Sequence, residues 1–292
     1  MKRLFKFIFI TALAAMCVAP LYGQDKTIKR KVAIGRFSNE TQYGKGLFYD
    51  KDNDPMRKQA MDILSAKLAA SGKFILLERD DLDVLLKESG TSMNKIGADY
   101  IILGSITEFG RKDQGEHKVF SSTKTQIVEA GVSIRLVEAS TGLIIYSDEG
   151  KGQAETTSKE VLGVGGSSSF DVSLSDKAIS AAISQLVDNI INKCMDKAWR
   201  SYILSTDDGV YIISGGASQG ISSGDSFFVY KKGKVVTNPQ TGLKVELPGM
   251  KIGAVSVLQT TGDTPETEIS LCSYDGTAVD ASALENYYIS DK

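Results

Sequence analysis

One stripe of side chains constrains this chain more than any other feature. Ile179, Ala182, Ile183, Leu186, Val187, Ile190, Ile191, Cys194 and Ala198 recur at helical spacing, with Asp176, Lys177, Asp188 and Lys193 opposite them. A helix so broadly apolar on one side must bury that side, and the residues before it read as the sheet that receives it. Lys31 to Phe37 is a short β-branched run. Asp54-Pro55 then reads as an N-cap with proline at the first helical position, and Met56, Ala60, Ile63, Leu64 and Leu68 follow at helical spacing until Gly72 stops them. Phe74 to Leu77 is a second strand, and Asp80 or Asp81 caps a short helix carrying Leu82, Leu85 and Leu86. Tyr100 to Ile106 is apolar throughout, as expected of a strand covered on both faces. Val132 to Val137 turns at Ser140-Thr141-Gly142 into Leu143 to Ser147, a hairpin. The order predicts a mixed sheet with packed helices.

From about Tyr202 the pattern changes. No window supports a helix, and short strands (Val210 to Ile213, Ser226 to Lys231, Lys234 to Thr237, Lys251 to Leu258) alternate with turns such as Gly215-Gly216, Gly224-Asp225 and Asn238-Pro239-Gln240-Thr241-Gly242. The fold class is therefore α/β, more narrowly α+β: a mixed sheet with helices over residues 25–200, then a small all-β, SH3-like barrel over residues 201–292.

The first 24 residues read as a secretory signal. Lys2, Arg3 and Lys6 precede the apolar run Phe7 to Val18, which is shorter than the roughly 20 residues a spanning helix needs. Two readings of its processing stay open: cleavage near Leu21-Tyr22-Gly23-Gln24, or lipidation at Cys17, where a lipoprotein cysteine would follow its apolar region. Either places the mature protein in the cell envelope. Cys194 and Cys272 then remain; Cys194 reads as a buried free thiol and Cys272 as a strand residue, with a disulfide between them open to this compartment.

Lys+Arg 34 against Asp+Glu 36 gives a formal charge of −2, so no basic field recommends nucleic acid as a partner. A single histidine, His117, sits in a polar stretch, and no nucleophile has a base at a readable spacing. Gly163-Val164-Gly165-Gly166 lacks the Lys-Ser/Thr ending of a phosphate loop, and Asp52-Asn53-Asp54 lacks the glycine and distal glutamate of a calcium loop. The expectation is a non-enzymatic protein with no catalytic residue, metal or cofactor.

Several of these segments, in order, resemble the CsgG family, the curli production assembly/transport component. They are Val32 to Phe37, the helix from Met56 to Ala70 leading into Phe74 to Arg79, Asp81 to Leu86, Ala98 to Ile106, and Val132 to Val137 with its Ser140-Thr141-Gly142 turn. The resemblance covers about residues 31–199. It implies an oligomeric transport or assembly platform of the outer-membrane-bounded periplasmic space, in which each protomer donates two β-hairpins to a shared outer-membrane barrel. Its partners would be further copies of itself and other envelope or secretion proteins. The family's pore-constriction loop follows the first strand, which makes Tyr43, Phe48, Tyr49 and Asn53 the candidates by position.

For the barrel, Leu162, Val164, Phe170, Val172 and Leu174 alternate with smaller or polar residues as a membrane-facing strand would; an amphipathic strand or Gly/Ser loop in water is the other reading. The companion stretches Gly110 to Gln126 and Lys151 to Glu160 are charged, which argues instead for a periplasmic scaffold without a pore. The C-terminal run Gly220 to Tyr230, with Asn238 to Gly242 and Ile252 to Val255, resembles the small barrel of flagellar assembly protein T.

Overall fold

A computed structural model describes residues 27–43, 54–77, 97–118, 121–161 and 173–292, except positions 208, 241, 243 and 266. The first sheet contains β1 (Arg30–Asn39), β2 (Phe74–Leu77), β3 (Tyr100–Lys118), β4 (Ser121–Glu138) and β5 (Ile144–Val161) in the order β2-β1-β3-β4-β5. β1 runs parallel to both β2 and β3, while β3, β4 and β5 form an antiparallel meander. The sheet is thus mixed, as the element order predicts.

Among the described residues, two helices cover one face. α1 (Pro55–Ala70) starts at Asp54, whose carboxylate accepts from the Met56 and Arg57 amides, and it buries Ala60, Leu64 and Leu68. α2 (Ser173–Asp196) buries Leu174, Ala178, Ile179, Ala182, Ile183, Leu186, Ile190 and Cys194 in one core with Val32, Phe37, Ile102, Ile106, Val132, Ile134 and Leu136. Phe37 reaches that core over Gly104, where any Cβ would fall 2.1 Å from its ring. A further close approach joins β5 to α2. A Cβ on Gly150 would meet the Ala182 carbonyl oxygen at 2.2 Å, and one on Gly152 the Ala178 carbonyl oxygen at 2.1 Å, so only glycine lets the strand lie on the helix backbone.

Two expectations are corrected here. Leu174 does not end a membrane-facing strand: it is fully buried in the first turn of α2. Its alternation with Val172 is compatible locally with either period, and its spacing of four to Ala178 and Ala182 joins it to the helical stripe. The strands predicted from Tyr100 to Ile106 and Val132 to Val137 are far longer, at 19 and 18 residues, and β5 also has 18. Pairing from Tyr100↔Glu138 to Lys118↔Ser121, with one register shift between Ile106 and Glu108, makes β3 and β4 one long hairpin, and β5 follows β4 as far as Ser121↔Val161. The expected short helix at Leu82 to Leu86 lies outside the described residues.

The C-terminal part is a seven-stranded antiparallel sheet in the order β6-β14-β9-β12-β13-β8-β7. Its strands are β6 (Arg200–Ser201), β7 (Ile203–Asp207), β8 (Val210–Ser214), β9 (Ser226–Lys231), β12 (Met250–Thr261), β13 (Ile269–Gly276) and β14 (Tyr287–Ser290). β6 and β7 stand at opposite ends of that order yet are separated in sequence by Tyr202 alone. The Ser214 amide donates to the Tyr202 carbonyl and Ser201 Oγ to the Ser214 carbonyl, which brings the two edges together into a nearly closed barrel. Its interior holds Trp199, Ile203, Tyr211, Ile213, Phe227, Val229, Val255, Val257, Cys272 and Ile289, and also Ile28 from ahead of β1. Lys234 to Thr237, predicted as a barrel strand, departs from this sheet. β10 (Val235–Thr237) pairs only with β11 (Lys244–Glu246), forming a separate two-stranded ribbon.

The two parts are joined through Arg30, which is buried. Its guanidinium donates to the Ile28 and Lys197 carbonyls at 3.0 and 2.9 Å and lies 3.6 Å from the Asp291 carboxylate. Asp291 also accepts from the Trp199 amide at 2.7 Å. Lys29 and Gln219 add a two-way bridge, the Lys29 amide donating to the Gln219 carbonyl and Gln219 Nε2 to the Lys29 carbonyl.

Candidate functional site

The end of β1 and the start of α1 form the two feet of the loop that the sequence marks out. Asn39 and Asp54 clasp them. Asn39 Nδ2 donates to Asp54 Oδ2 at 2.9 Å, while Asp54 Oδ1 caps α1 through the Met56 and Arg57 amides at 2.8 and 3.1 Å. Asn39 Oδ1 in turn accepts from the Thr41 amide and hydroxyl. Asn39, Thr41 and Asp54 are all buried, so each polar group is satisfied within the clasp rather than by water. One carboxylate therefore starts a helix and fixes where the loop leaves the sheet.

Tyr43 stands just beyond the clasp and packs on the long hairpin. Its ring lies 4.6 Å from that of Phe109, and the Arg111 guanidinium sits over it at 4.7 Å. Arg111 Nη2 also donates to Ser175 Oγ at 3.0 Å, in the first turn of α2. Loop, hairpin and helix thus converge on one arginine. Of the position-based candidates, Tyr43 is at this junction, while Phe48, Tyr49 and Asn53 lie outside the described residues, as do Cys17, Leu162, Val164, Phe170 and Val172. Sequence reading missed the roles of Phe109, Arg111 and Ser175. No local signal marked them: Phe109 and Arg111 reach the helix side through their register opposite the buried Ala130 and Val128 of β4.

The opposite face of the three-strand extension is charged. Lys151 of β5 reaches across Gly131 of β4 to the Glu108 carboxylate of β3 at 3.0 Å, and this contact holds the lysine ammonium above its ordinary range. Lys112 pairs with Glu129 at 3.0 Å, Thr107 donates to Glu149 at 3.1 Å, and the hydroxyls of Thr125 and Thr157 lie 3.2 Å apart. These pairs are exposed and screened by water and salt. Their consequence is chemical: this face is dressed for water. On the helix-side face, Lys124 pairs with Asp113 at 3.1 Å. No helix among the described residues is long and apolar enough to cross a membrane.

Both described cysteines are free and fully buried, Cys194 in the first core and Cys272 in the second. Burial pushes each thiol up to about 12. No group of three or more metal-ligating side chains occurs among the described residues.

Residues 21–221 match the model of the curli production assembly/transport component CsgG. The chain belongs to the CsgG family. It is 34% identical over 189 residues to a protein of Neisseria meningitidis serogroup B named "Putative lipoprotein NMB1126/NMB1164", covering 63% of this chain and 84% of that one. Among solved structures, a PelC dodecamer from Paraburkholderia phytofirmans is 18% identical, with 55% of this chain and 88% of that chain covered and a TM-score of 0.29. The lipoprotein GNA1162 of Neisseria meningitidis is 14% identical, with 57% and 99% covered and a TM-score of 0.25.

Proposed function

We propose that this CsgG-family chain is an oligomeric, non-enzymatic platform for secretion or assembly in the cell envelope, anchored by lipid at Cys17 and not spanning the bilayer with β3, β4 and β5. The observation that carries the reading is the outward face of those strands, where Glu108, Lys112, Glu129 and Lys151 form a cross-strand charge ladder. Placing it against lipid would cost about 2–4 kcal/mol for each lysine near the midplane, and the acids add to that. The relative's name as a lipoprotein supports the anchor, and family membership supports the ring. The junction of Tyr43, Phe109 and Arg111 stands where β1 leads into the segment from which the family builds its constriction. The C-terminal barrel serves as the docking module for a further envelope component.

A pore reading has one observation in its favour. The β3–β4 hairpin is longer than the roughly 9–11 residues a membrane strand needs.

One experiment separates the two. The chain from Gln24 onward, exported behind an unrelated signal so that no cysteine is acylated at its start, is fractionated after a high-salt wash and sized. A soluble oligomer supports the platform. Retention in outer-membrane fractions as a large ring supports the pore, and a soluble monomer defeats both.

A further inference from the structure

The ribbon of β10 and β11 is the most unusual surface of the molecule. All six of its residues are exposed. Val236 pairs with Val245, and the Leu247 amide donates to the Lys234 carbonyl, so Val236, Val245 and Leu247 line one face together. These are 40%, 44% and 42% exposed, and Val235 and Met250 reach 60% and 66%. Interleaved with them are Lys231, Lys232, Lys234, Lys244 and Lys251, all exposed, against Glu246 as the lone acid from residue 231 to 251. The surplus of four positive charges sits in a chain whose formal total is −2.

The ribbon is held at its base. A Cβ on Gly233 would meet the Leu247 carbonyl oxygen at 1.9 Å, one on Gly249 the Tyr288 hydroxyl at 2.7 Å, and the Lys232 amide donates to the Asn286 carbonyl. A two-stranded ribbon is marginal by itself in water, so this one is presented by the barrel and not stabilised by its own core.

We propose that the ribbon is a contact for an anionic phospholipid surface. Lysines around the rim meet headgroup phosphates while Val236, Val245 and Leu247 enter the boundary below them. Charge complementarity selects an anionic occupant. The arrangement favours lipid over an acidic polypeptide: Lys234 shares one ribbon face with Val236, Val245 and Leu247, so cations ring an apolar strip as they do on an interfacial lipid-binding surface. The inference does not rest on the proposed platform or on acylation of Cys17, although a single acyl chain holds a membrane only marginally and a second contact would complete it.

The test uses the chain from Gln24 onward, which retains every described residue and carries no acyl group. It is sedimented with phosphatidylcholine vesicles with and without phosphatidylglycerol. Binding is expected with the anionic vesicles only, weakening as salt is added. Lys234→Gln with Lys244→Gln should lower the partition coefficient about 25-fold, at roughly five-fold per lysine. Val236→Ser with Val245→Ser should lower it roughly ten-fold. Both pairs are exposed, so an unchanged melting temperature shows that the barrel is intact. Lys112→Gln with Lys124→Gln, on the distant hairpin, should leave binding unchanged. Equal recovery with neutral and anionic vesicles, full binding by both ribbon variants, or capture of an acidic peptide through the same lysines without vesicle binding would each overturn the proposal.

Discussion

Gly152 of β5 lies so close to Ala178 of α2 that a Cβ on the glycine would stand 2.1 Å from the alanine carbonyl oxygen. Gly150 repeats the relation one pleat earlier, against Ala182. Together they set the distance between the sheet and its main helix. Gly152→Ala should therefore cost about 2–3 kcal/mol, since neither backbone can retreat without opening the core. Urea denaturation reads this directly. Gly110→Ala, a glycine of the same sheet with open space around its Cβ position, should stay within about 0.5 kcal/mol of the parent.

Arg30 makes a second prediction. Its guanidinium is buried between Ile28, Lys197 and Asp291, and Asp291 also holds the Trp199 amide. Arg30→Met should destabilise by roughly 3 kcal/mol, because carbonyls of both parts lose their donor. The expected signature in a thermal scan is a broadened or split transition, as barrel and sheet become less coupled. A single sharp transition at the parental temperature would show that this junction contributes nothing.

The pH dependence has a definite sign at Asp99. Burial raises its carboxyl above the ordinary 3.8, although the Lys31 amide, donating to it at 2.7 Å, works the other way. The folded state thus holds its proton more tightly than the unfolded one. Stability from this group is fully present below 3.8 and declines as pH rises through the folded value. Asp99→Asn keeps an acceptor for Lys31 and removes the buried charge. The variant should melt higher than the parent at pH 7 and converge with it below pH about 3.8.

For Cys194 and Cys272, burial with the thiol raised to about 12 predicts no reaction with a thiol reagent in the native protein and two equivalents after denaturation. Counting thiols by absorbance before and after urea checks it. Fewer than two in urea would reveal a disulfide or a modified cysteine.

Asp54→Ala removes a helix cap and the partner of the buried Asn39 amide at once. The expected loss is about 2–4 kcal/mol, the cap and the orphaned donor each contributing. Asp54→Asn, which preserves an acceptor for the α1 amides, should recover part of it. If the clasp also sets the loop, both variants should raise proteolysis between residues 40 and 54 before global unfolding.

Much of the architecture was legible in local pattern. The α2 stripe, the Asp54-Pro55 start of α1 and the Gly142 turn are each set by spacing or backbone chemistry within a few residues, and the structure places them where those rules require. The far reaches of β3, β4 and β5 were not legible. Lys112, Lys124 and Lys151 read as charges that argued against a membrane strand, and backbone pairing with distant segments sets them across from Glu129, Asp113 and Glu108. Likewise Arg111 read as one more charge, and its register opposite Val128 brought it between Tyr43 and Ser175.

The sequence by itself determined the elements whose signal is periodic or chemical: two amphipathic helices, the apolar strand from Tyr100, the turns of the barrel, and the family to which the first two-thirds belong. Tertiary structure decided what depends on partners distant in the chain. It closed the barrel at Tyr202, drew Ile28 into that barrel's core, released β10 and β11 as a ribbon and joined loop, hairpin and helix at Arg111. The reason is physical: helix periodicity and turn chemistry are local free energies, whereas strand length, register and closure are settled only when distant backbone groups find one another.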